Sequence, residues 1–284
     1  MEVAFTSVQF WGAVQLEDAV KLLIVTQADP FYMPVFFKFF TENLRNPEVE
    51  VSKVLILRPL NQGSKIGLLK RVMGLYGTWG TLRLCLRLLK QKIRNLLNRF
   101  GITDDPGTVE GYLERVDIPY EYIDDVNHRS VVESVKGEGV DFIVSVAASQ
   151  IFSGELLKSP RYGCINVHHG KLPEYRGMLS NFWQMYNREE FAVVTFHRMT
   201  EDLDKGDILF EKKVRINYDK PLDYLIKKTK IFSALYMLDL LDDLAEDPQR
   251  FYRGKPQDLS RRRYYSFPKK KDRIAFRKKG LKLL

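Results

Sequence analysis

The chain has 284 residues, of which 45% are hydrophobic, and a formal net charge of +9; this length supports one sizeable core and excludes a peptide-sized binder. Its two cysteines, Cys85 and Cys164, lack C-x-x-C spacing, which disfavours a disulfide framework or a thiolate metal site and favours the reducing cytoplasm. No apolar run approaches the roughly 20 residues of a membrane span, and no basic stretch leads into an apolar one near Met1, so we expect a cytoplasmic protein that is neither secreted nor membrane-spanning.

The predicted elements alternate between strands and helices. Residues 1–20 precede the first predicted strand and have no assigned role. Short apolar runs typical of strands occur at residues 21–26, 49–57, 120–123 and 140–146, and helical spacing of apolar residues occurs at 31–44 and 128–136. This alternation predicts an α/β fold, with a Rossmann-like, mostly parallel, doubly wound sheet that binds ligands beyond the carboxyl ends of its strands.

A basic segment at residues 61–103 interrupts this alternation, with nine Lys and Arg and no acidic residue. It contains an amphipathic helix whose apolar positions are Leu82, Leu86, Leu89, Ile93, Leu96 and Phe100. We predict a helical insertion, at about 61–104, that packs its apolar side on the body and leaves its basic face in solvent. The alternative is a peripheral membrane or nucleic-acid contact through residues 82–100.

The C-terminal part is predicted to hold one helix and a basic tail. The helix follows Pro221 and runs to about residue 244, and residues 261–284 then carry eleven Lys and Arg against Asp272 alone. We expect this tail to be partly disordered or loosely docked. The expected division is an extension at 1–20, a catalytic domain at 21–215 and a short C-terminal extension at 216–284.

Polar residues that could take part in catalysis are concentrated after residue 160. Asn166 and His168 are two apart in a predicted strand that ends near Gly170, so both point to one face at the strand's carboxyl end. Thr195 and His197 share a face of a later strand in the same way. Asp204 follows, just before a Lys-Gly turn. Each of these residues alone is more commonly structural than catalytic.

Two other site types are disfavoured. A metal site built from His168, His169 and His197 is not expected, because His168 and His169 face opposite ways in a strand and no carboxylate stands beside them at ligand spacing. Cys164 lies at the start of an apolar strand without an adjacent base, which disfavours a thiol nucleophile. The glycines at 74–80 match neither phosphate-loop pattern, which disfavours a nucleotide hydrolase or dinucleotide dehydrogenase.

Three segments in order, YGCINVHHGKLPEYRG, VVTFHRM and DLDKGDIL, resemble the formyltransferases that use 10-formyltetrahydrofolate. This family includes the glycinamide ribonucleotide, methionyl-tRNA and amino-sugar enzymes. The likeness covers roughly residues 140–215 and implies the formyltransferase fold, 10-formyltetrahydrofolate as co-substrate, no metal, and a catalytic trio of Asn166, His168 and Asp204. His169 stands where the family has proline.

The chemistry of formyl transfer agrees with this trio. When an amine attacks the formyl carbon, negative charge develops on the carbonyl oxygen, where Asn166 and His168 are suitable donors. Asp204 can take the amine's proton directly, through water, or by keeping His168 charged. Thr195 and His197 are expected to support the site. The acceptor pocket is expected to be shaped by Tyr175, Arg176 and Gly177.

The acceptor is an amine that the resemblance leaves open. We prefer an amino-sugar nucleotide, because residues 216–284 show no signals for the β-rich C-terminal domain of the methionyl-tRNA enzymes. Initiator tRNA is the alternative, since the basic insertion lies roughly where those enzymes contact tRNA. A hydrolase that releases formate and a non-enzymatic module bound to membrane or RNA are the remaining alternatives, and a homodimer is left open.

Overall fold

The computed structural model describes residues 19–58 and 65–284. The N-terminal extension through residue 18 and the first residues of the predicted insertion lie outside the described residues. The strands are β1 Val20–Gln27, β2 Val49–Leu57, β3 Tyr120–Ile123, β4 Phe142–Val146, β5 Gly163–His168, β6 Arg176–Gly177, β7 Phe191–Arg198, β8 Ile208–Arg215 and β9 Tyr264–Tyr265. The helices are α1 Met33–Asn43, α2 Lys65–Arg99, α3 Val109–Glu114, α4 Arg129–Gly137, α5 Gly154–Leu157, α6 Ser180–Tyr186, α7 Leu222–Glu246 and α8 Lys270–Lys278.

A seven-stranded sheet with the order β3-β2-β1-β4-β5-β7-β8 forms the centre of the molecule. The first five strands in this order are parallel, whereas β7 pairs antiparallel with both β5 and β8. The mostly parallel α/β sheet predicted from the sequence is therefore confirmed. The carboxyl ends of β1, β4 and β5 meet at one edge, where ligands bind in such folds.

Helices cover both faces of the sheet, as in a doubly wound fold. One face packs against α1, α3 and α7 through a buried cluster that includes Phe36, Phe40 and Met237. The other face packs against α4 and α5 through Val132 and Leu156. Because α7 belongs to the first of these clusters, the core continues without interruption past the division expected at residue 215.

The C-terminal tail is ordered, and the prediction of a disordered or loosely docked segment is wrong. β9 pairs in parallel with β6, and α8 buries Phe276, which stacks on Phe182 with ring centroids 4.6 Å apart. Leu281 and Leu283 are buried in the same cluster. The basic residues that suggested disorder lie between these buried apolar residues. A few apolar side chains are therefore enough to dock the segment in spite of its high net charge.

The insertion is helical, as predicted, but its orientation is opposite to the prediction. α2 runs to Arg99 with an interruption at Gly77, which has φ 73°. Its apolar stripe faces solvent, with Leu82 50% and Leu89 55% exposed, while polar residues of the other face bond to the body. Next to α2 the body has carboxylates and backbone carbonyls that need hydrogen-bond donors. The polar face of the helix supplies these donors and therefore packs on the body. In the described part of the chain, neither α2 nor any other helix is long and apolar enough to cross a membrane.

Candidate active site

The β5–β7 pair brings four of the predicted polar side chains together. In the antiparallel register, Asn166 lies opposite His197 and His168 lies opposite Thr195, so all four project from the same face. A cavity of about 500 Å³ opens there, within the usual size range of small-molecule sites. Asn166, His168, His197 and Asp204 line it, together with the loop after β4.

Asp204 is held in this cavity by the loop after β7. Its backbone lies in the left-handed region, with φ 52°, and its Oδ2 accepts a hydrogen bond of 3.0 Å from the backbone nitrogen of Gly177. Its Oδ1 lies 3.9 Å from His168 Nδ1 and 3.7 Å from His197 Nε2. Ala147 and Leu179, which also line the cavity, have φ of 59° and 53°. Such unfavourable backbone is concentrated at functional sites.

His168 is oriented by the turn that follows its own strand. Its Nε2 lies 2.7 Å from the carbonyl oxygen of Tyr175, which can only accept, so Nε2 carries a hydrogen and donates it. Ser180 Oγ lies 3.3 Å from the same nitrogen and itself donates to Tyr175. The other ring nitrogen, Nδ1, is thereby left facing Asp204, and a charged ring could donate toward that carboxylate.

His197 is held in the neutral form. Its Nδ1 donates to the backbone carbonyl of Arg198 at 2.8 Å. Burial lowers its pKa to about 4, against the opposing effect of Asp204, and His168 lowers it further. Nε2 of the neutral ring is an acceptor, and Asn166 Nδ2 donates to it at 3.1 Å. His197 therefore fixes which end of the Asn166 amide faces it, and leaves the second hydrogen of Nδ2 for another acceptor.

The other predicted site residues support the cavity from outside or from its rim. Thr195 is fully buried and donates to the carbonyl of Gly170 at 2.8 Å, which holds the end of β5. Tyr175 and Arg176 do not line the cavity: the ring of Tyr175 stacks on Tyr265, and Arg176 bonds to the carbonyl of Leu203. Gly177 lines it and donates to Asp204.

Three cavity residues were not identified as site residues from the sequence. Lys230 of α7 is buried, and burial lowers the pKa of its amine to about 8. Asp29 follows β1, accepts from the backbone of Phe31 and Tyr32, and has a pKa raised by burial. His169, whose pKa burial lowers well below its usual value, lies 3.3 Å from Ser233 Oγ. Lys230 lies within an ordinary helical pattern and Asp29 in the short Gln-Ala-Asp-Pro loop after β1, so no local pattern identifies either as a site residue.

The two site types that the sequence disfavours, a metal site and a thiol nucleophile, gain no support from the geometry. Within residues 19–58 and 65–284, no group of three or more His, Cys, Asp or Glu is arranged to hold a metal ion. Cys164 is buried, and burial raises the pKa of its thiol well above the usual range. A thiolate nucleophile at this position would therefore be strongly disfavoured.

Comparison with known proteins adds a family to this geometry. Residues 112–239, which include the whole of β5, β7 and the loop of Asp204, match the family model described as formyl transferase. These residues form a formyl transferase domain. Similar curated proteins include several named methionyl-tRNA formyltransferase. That of Thermotoga maritima is 27% identical over 208 residues, covering 69% of this chain and 66% of the relative. That of Agathobacter rectalis is 43% identical over 89 residues, covering 31% of this chain and 29% of the relative.

The chain thus spans just under two thirds of the Thermotoga relative's length. Solved structures show that the formyl transferase domain has the expected fold. Phosphoribosylglycinamide formyltransferase from Bacillus halodurans has a TM-score of 0.54 at 16% identity, with 82% of this chain and 98% of that chain covered. A Shewanella sugar N-formyltransferase has a TM-score of 0.50 at 19% identity, with 87% and 76% covered. An N-formyltransferase from Helicobacter canadensis, solved with folinic acid and dTDP-3-aminofucose, has a TM-score of 0.50 at 14% identity, with 87% and 71% covered.

Proposed function

We propose that this protein transfers a formyl group from 10-formyltetrahydrofolate to a primary amine. The observation that carries the proposal is the convergence of Asn166, His168 and Asp204 on one cavity, with His168 Nδ1 and Asp204 Oδ1 3.9 Å apart. Three side chains from one strand and a loop supply two hydrogen-bond donors and one proton acceptor, which is what amide formation at a formyl carbon requires.

Each member of the trio has one task in this reaction. The amine nitrogen attacks the formyl carbon, a carbon–nitrogen bond forms, and the carbonyl electrons move onto oxygen. Asn166, oriented by His197, and the Nδ1 hydrogen of a charged His168 donate to that oxygen. Asp204 accepts the amine's proton directly or through water. When the carbonyl re-forms, the bond to the folate nitrogen breaks and that nitrogen takes up a proton. Each preorganised donor of this kind lowers the activation barrier by about 3–4 kcal/mol.

The cavity walls are suited to a folate. Ala147, Ala148 and Phe152 after β4, and Met199 after β7, form an apolar lining, against which a flat heteroaromatic ring can pack. Exposed backbone groups of the same loops can bond to the ring's polar edge. The folate would supply the formyl group and the leaving nitrogen, while the chain's own residues bind it, exclude water and stabilise charge.

For the acceptor we favour an amino-sugar nucleotide. The buried amine of Lys230 and the carboxylate of Asp29 lie in the same cavity and suit a small acceptor with hydroxyl and phosphate groups. Two of the similar structures are a sugar N-formyltransferase and an N-formyltransferase solved with an amino-sugar nucleotide.

Initiator tRNA is the second candidate. The curated relatives are named methionyl-tRNA formyltransferase, and α2 carries basic residues that could contact phosphates. A hydrolase that releases formate to water would use the same trio and is separated from a transferase only by experiment.

The test is transfer of labelled formyl from 10-formyltetrahydrofolate to a panel of amino-sugar nucleotides and to charged initiator tRNA, with a sample that contains no acceptor. We expect labelled product on a sugar at a rate that changes little with salt. Product on tRNA alone, with a steep fall in rate as salt rises, would replace the sugar by the second candidate. Formate release independent of acceptor would identify a hydrolase, and an unchanged folate in every sample would refute formyl transfer.

A further inference from the structure

The exposed apolar side of α2 is unlike the surface of an ordinary globular protein. Six residues at helical spacing form one stripe and are between 49% and 73% exposed: Leu82, Leu86, Leu89, Ile93, Leu96 and Phe100. Trp79, one turn earlier, is 77% exposed. Over residues 82–100 the stripe is about 27 Å long at the rise of an α-helix. Contiguous exposed apolar surface of this kind marks an interaction site.

The outward orientation of this stripe is fixed by contacts on the opposite face of α2. Arg87 makes two bonds to Asp223, of 2.6 and 3.2 Å. Further along the same face, Gln91 and Asn98 donate to the carbonyls of Gly107 and Thr103 at 2.6 Å each. Each of these bonds would be lost if the helix rotated to bury its stripe. The exposed stripe is therefore a stable property of the described structure.

Basic residues border the stripe on both sides. With 100° per residue, Arg83 and Lys90 lie along one border and Lys92 and Arg99 along the other, and all four are exposed. No acidic residue occurs between residues 61 and 103. Long basic side chains at the borders can extend to an anionic surface while their stems cover apolar groups.

A groove of about 470 Å³ runs beside the stripe, between α1 and α2. Its lining contains five basic side chains and one acidic: Lys38, Arg87, Lys90, Arg94, Lys227 and Asp105. Lys90 belongs both to this groove and to the border of the stripe. Three of the five basic side chains are in ion pairs, Arg87 and Lys227 with Asp223 and Arg94 with Asp105. Lys38 and Lys90 are thus the groove lysines that could meet an anionic head group.

We propose that α2 is an in-plane anchor that binds the surface of an anionic phospholipid bilayer, with the stripe among the acyl chains and the basic borders at the phosphates. The charge pattern selects this occupant. A second copy of the chain would place Lys and Arg of one stripe against those of the other, with no acid on either α2 to pair with them. A nucleic acid would neutralise the borders but leave the aliphatic stripe in water.

The test is flotation of the full chain with vesicles of phosphatidylcholine alone and vesicles that also contain phosphatidylglycerol. We expect binding to the anionic vesicles and little to the neutral ones. The double substitution Leu89→Ser and Ile93→Ser should weaken binding at least about tenfold. The control is the pair Val116→Ser and Ile274→Ser, which are exposed apolar residues elsewhere and should leave binding unchanged.

A second pair of variants tests the charged borders and the groove. Lys38→Gln with Lys90→Gln should weaken binding to the anionic vesicles and reduce its dependence on salt. Lys158→Gln with Lys220→Gln removes the same charge from exposed positions elsewhere and should have a smaller effect. Equal effects of the two pairs would mean that net charge, and not this surface, holds the protein on the vesicle.

The depth of the stripe can be measured with a polarity-sensitive probe on Cys85, which is exposed on α2 whereas Cys164 is buried. We expect a blue shift on addition of anionic vesicles, and quenching by lipids that carry a quencher on their acyl chains. Vesicle binding without a shift would overturn the proposal, and so would a failure to bind vesicles. In the second case, a concentration-dependent dimer that Leu89→Ser dissociates would identify a second copy as the occupant.

Discussion

At the scale of single residues, His168 and His197 of the cavity face different partners. His168 meets acceptors at both ring nitrogens, the carbonyl of Tyr175 and the carboxylate of Asp204, an arrangement that suits a charged donor. His197 meets an acceptor at Nδ1 and a donor, Asn166, at Nε2, an arrangement that suits the neutral ring. One histidine can therefore stabilise negative charge while the other orients an amide.

The first prediction concerns the proton acceptor. Asp204→Asn should keep the hydrogen bond from Gly177 but remove the basic carboxylate, so kcat should fall by about 10²–10⁴ while the thermal midpoint changes little. The control is Asp207→Asn, three residues later and outside the cavity, in an ion pair with Arg198. Comparable loss of kcat in both variants would argue against a catalytic role for Asp204.

The second prediction concerns His197 as a positioning residue. His197→Phe removes the acceptor that holds Asn166, so kcat should fall by about 10² while KM for the amine changes little. His197→Gln can still accept through its side-chain carbonyl and should recover part of that loss. If the two variants lose activity equally, the hydrogen bond to Asn166 does not explain the effect.

Part of this site can be predicted from the sequence. The alternation of side chains in a strand placed Asn166 with His168 and Thr195 with His197, and the register confirms that they share a face. It could not place Asp204 beside them, because a loop residue has no periodicity; that assignment came from the resemblance to a family. Lys230 lies on α7 and Asp29 in the loop after β1, and the fold brings these distant segments to one cavity, which no local pattern reveals.

At the scale of secondary-structure elements, the C-terminal segment forms part of the support for the cavity. Tyr265 of β9 stacks on Tyr175 at 5.3 Å and on Trp183 at 4.9 Å. Its backbone carbonyl accepts from Met178 at 2.8 Å. The loop that donates to Asp204 is thereby held between the sheet and a segment from the far end of the described chain.

The third prediction tests the pairing of β6 with β9 at its closest contact. Gly177 has φ 96°, and a Cβ there would lie 2.3 Å from the carbonyl oxygen of Tyr265. Gly177→Ala should destabilise the fold by about 1–3 kcal/mol and lower kcat, because β6 must separate from β9. Gly137→Ala is the control, since it adds a Cβ within α4 where nothing lies within 4 Å. Unfolding by denaturant and kcat should both distinguish the two variants.

The fourth prediction concerns the contact that holds α2. Burial alone would raise the pKa of Asp223, but hydrogen bonds from Arg87 and Lys227 outweigh burial and lower it. Arg87→Met should cost about 1–3 kcal/mol of unfolding free energy, since a buried carboxylate loses one of its partners. Arg83→Met, on the exposed side of the same helix, should change it by less than about 0.5 kcal/mol. Equal losses of unfolding free energy in Arg87→Met and Arg83→Met would show that the pair with Asp223 does not anchor the helix.

The sequence predicts where the elements lie better than how they face. The bounds of β2 and β3 agree with the expected ranges, because each is a short run between clear turn residues. The predicted orientation of α2 is wrong because an amphipathic pattern defines two faces but does not identify the one that meets the body. That choice depends on Asp223, far along the chain, and on the carbonyls of residues 103 and 107.

At the scale of the whole molecule, buried histidines link stability to pH. The folded pKa of His197 is about 4, against 6.5 for an unperturbed histidine. The unfolded chain therefore binds more protons between these two values, and stability present above pH 6.5 is lost as the pH falls toward 4. A shift of this size corresponds to about 3 kcal/mol. His169, whose pKa is also lowered, acts in the same direction.

The fifth prediction follows from this linkage. The unfolding free energy of the wild type should decrease between pH 6.5 and pH 4, and that of His197→Gln should decrease less over the same interval. Denaturant unfolding at several pH values measures both slopes, and His128→Gln, which changes an exposed histidine, is the control. Parallel curves for wild type and His197→Gln would mean that His197 is not held neutral in the folded state.

The pairing of β6 with β9 has a consequence for biosynthesis. The ribosome completes the trio when it reaches Asp204, but the strand that braces the Asp204 loop is translated much later. While β9 is still missing, Gly177 has no partner across the small sheet, and the tyrosine stack on Tyr175 cannot form. A nascent chain that ends before β9 would therefore carry the three proposed groups without this support for the Asp204 loop, and the cavity would be completed only after β9 has been translated.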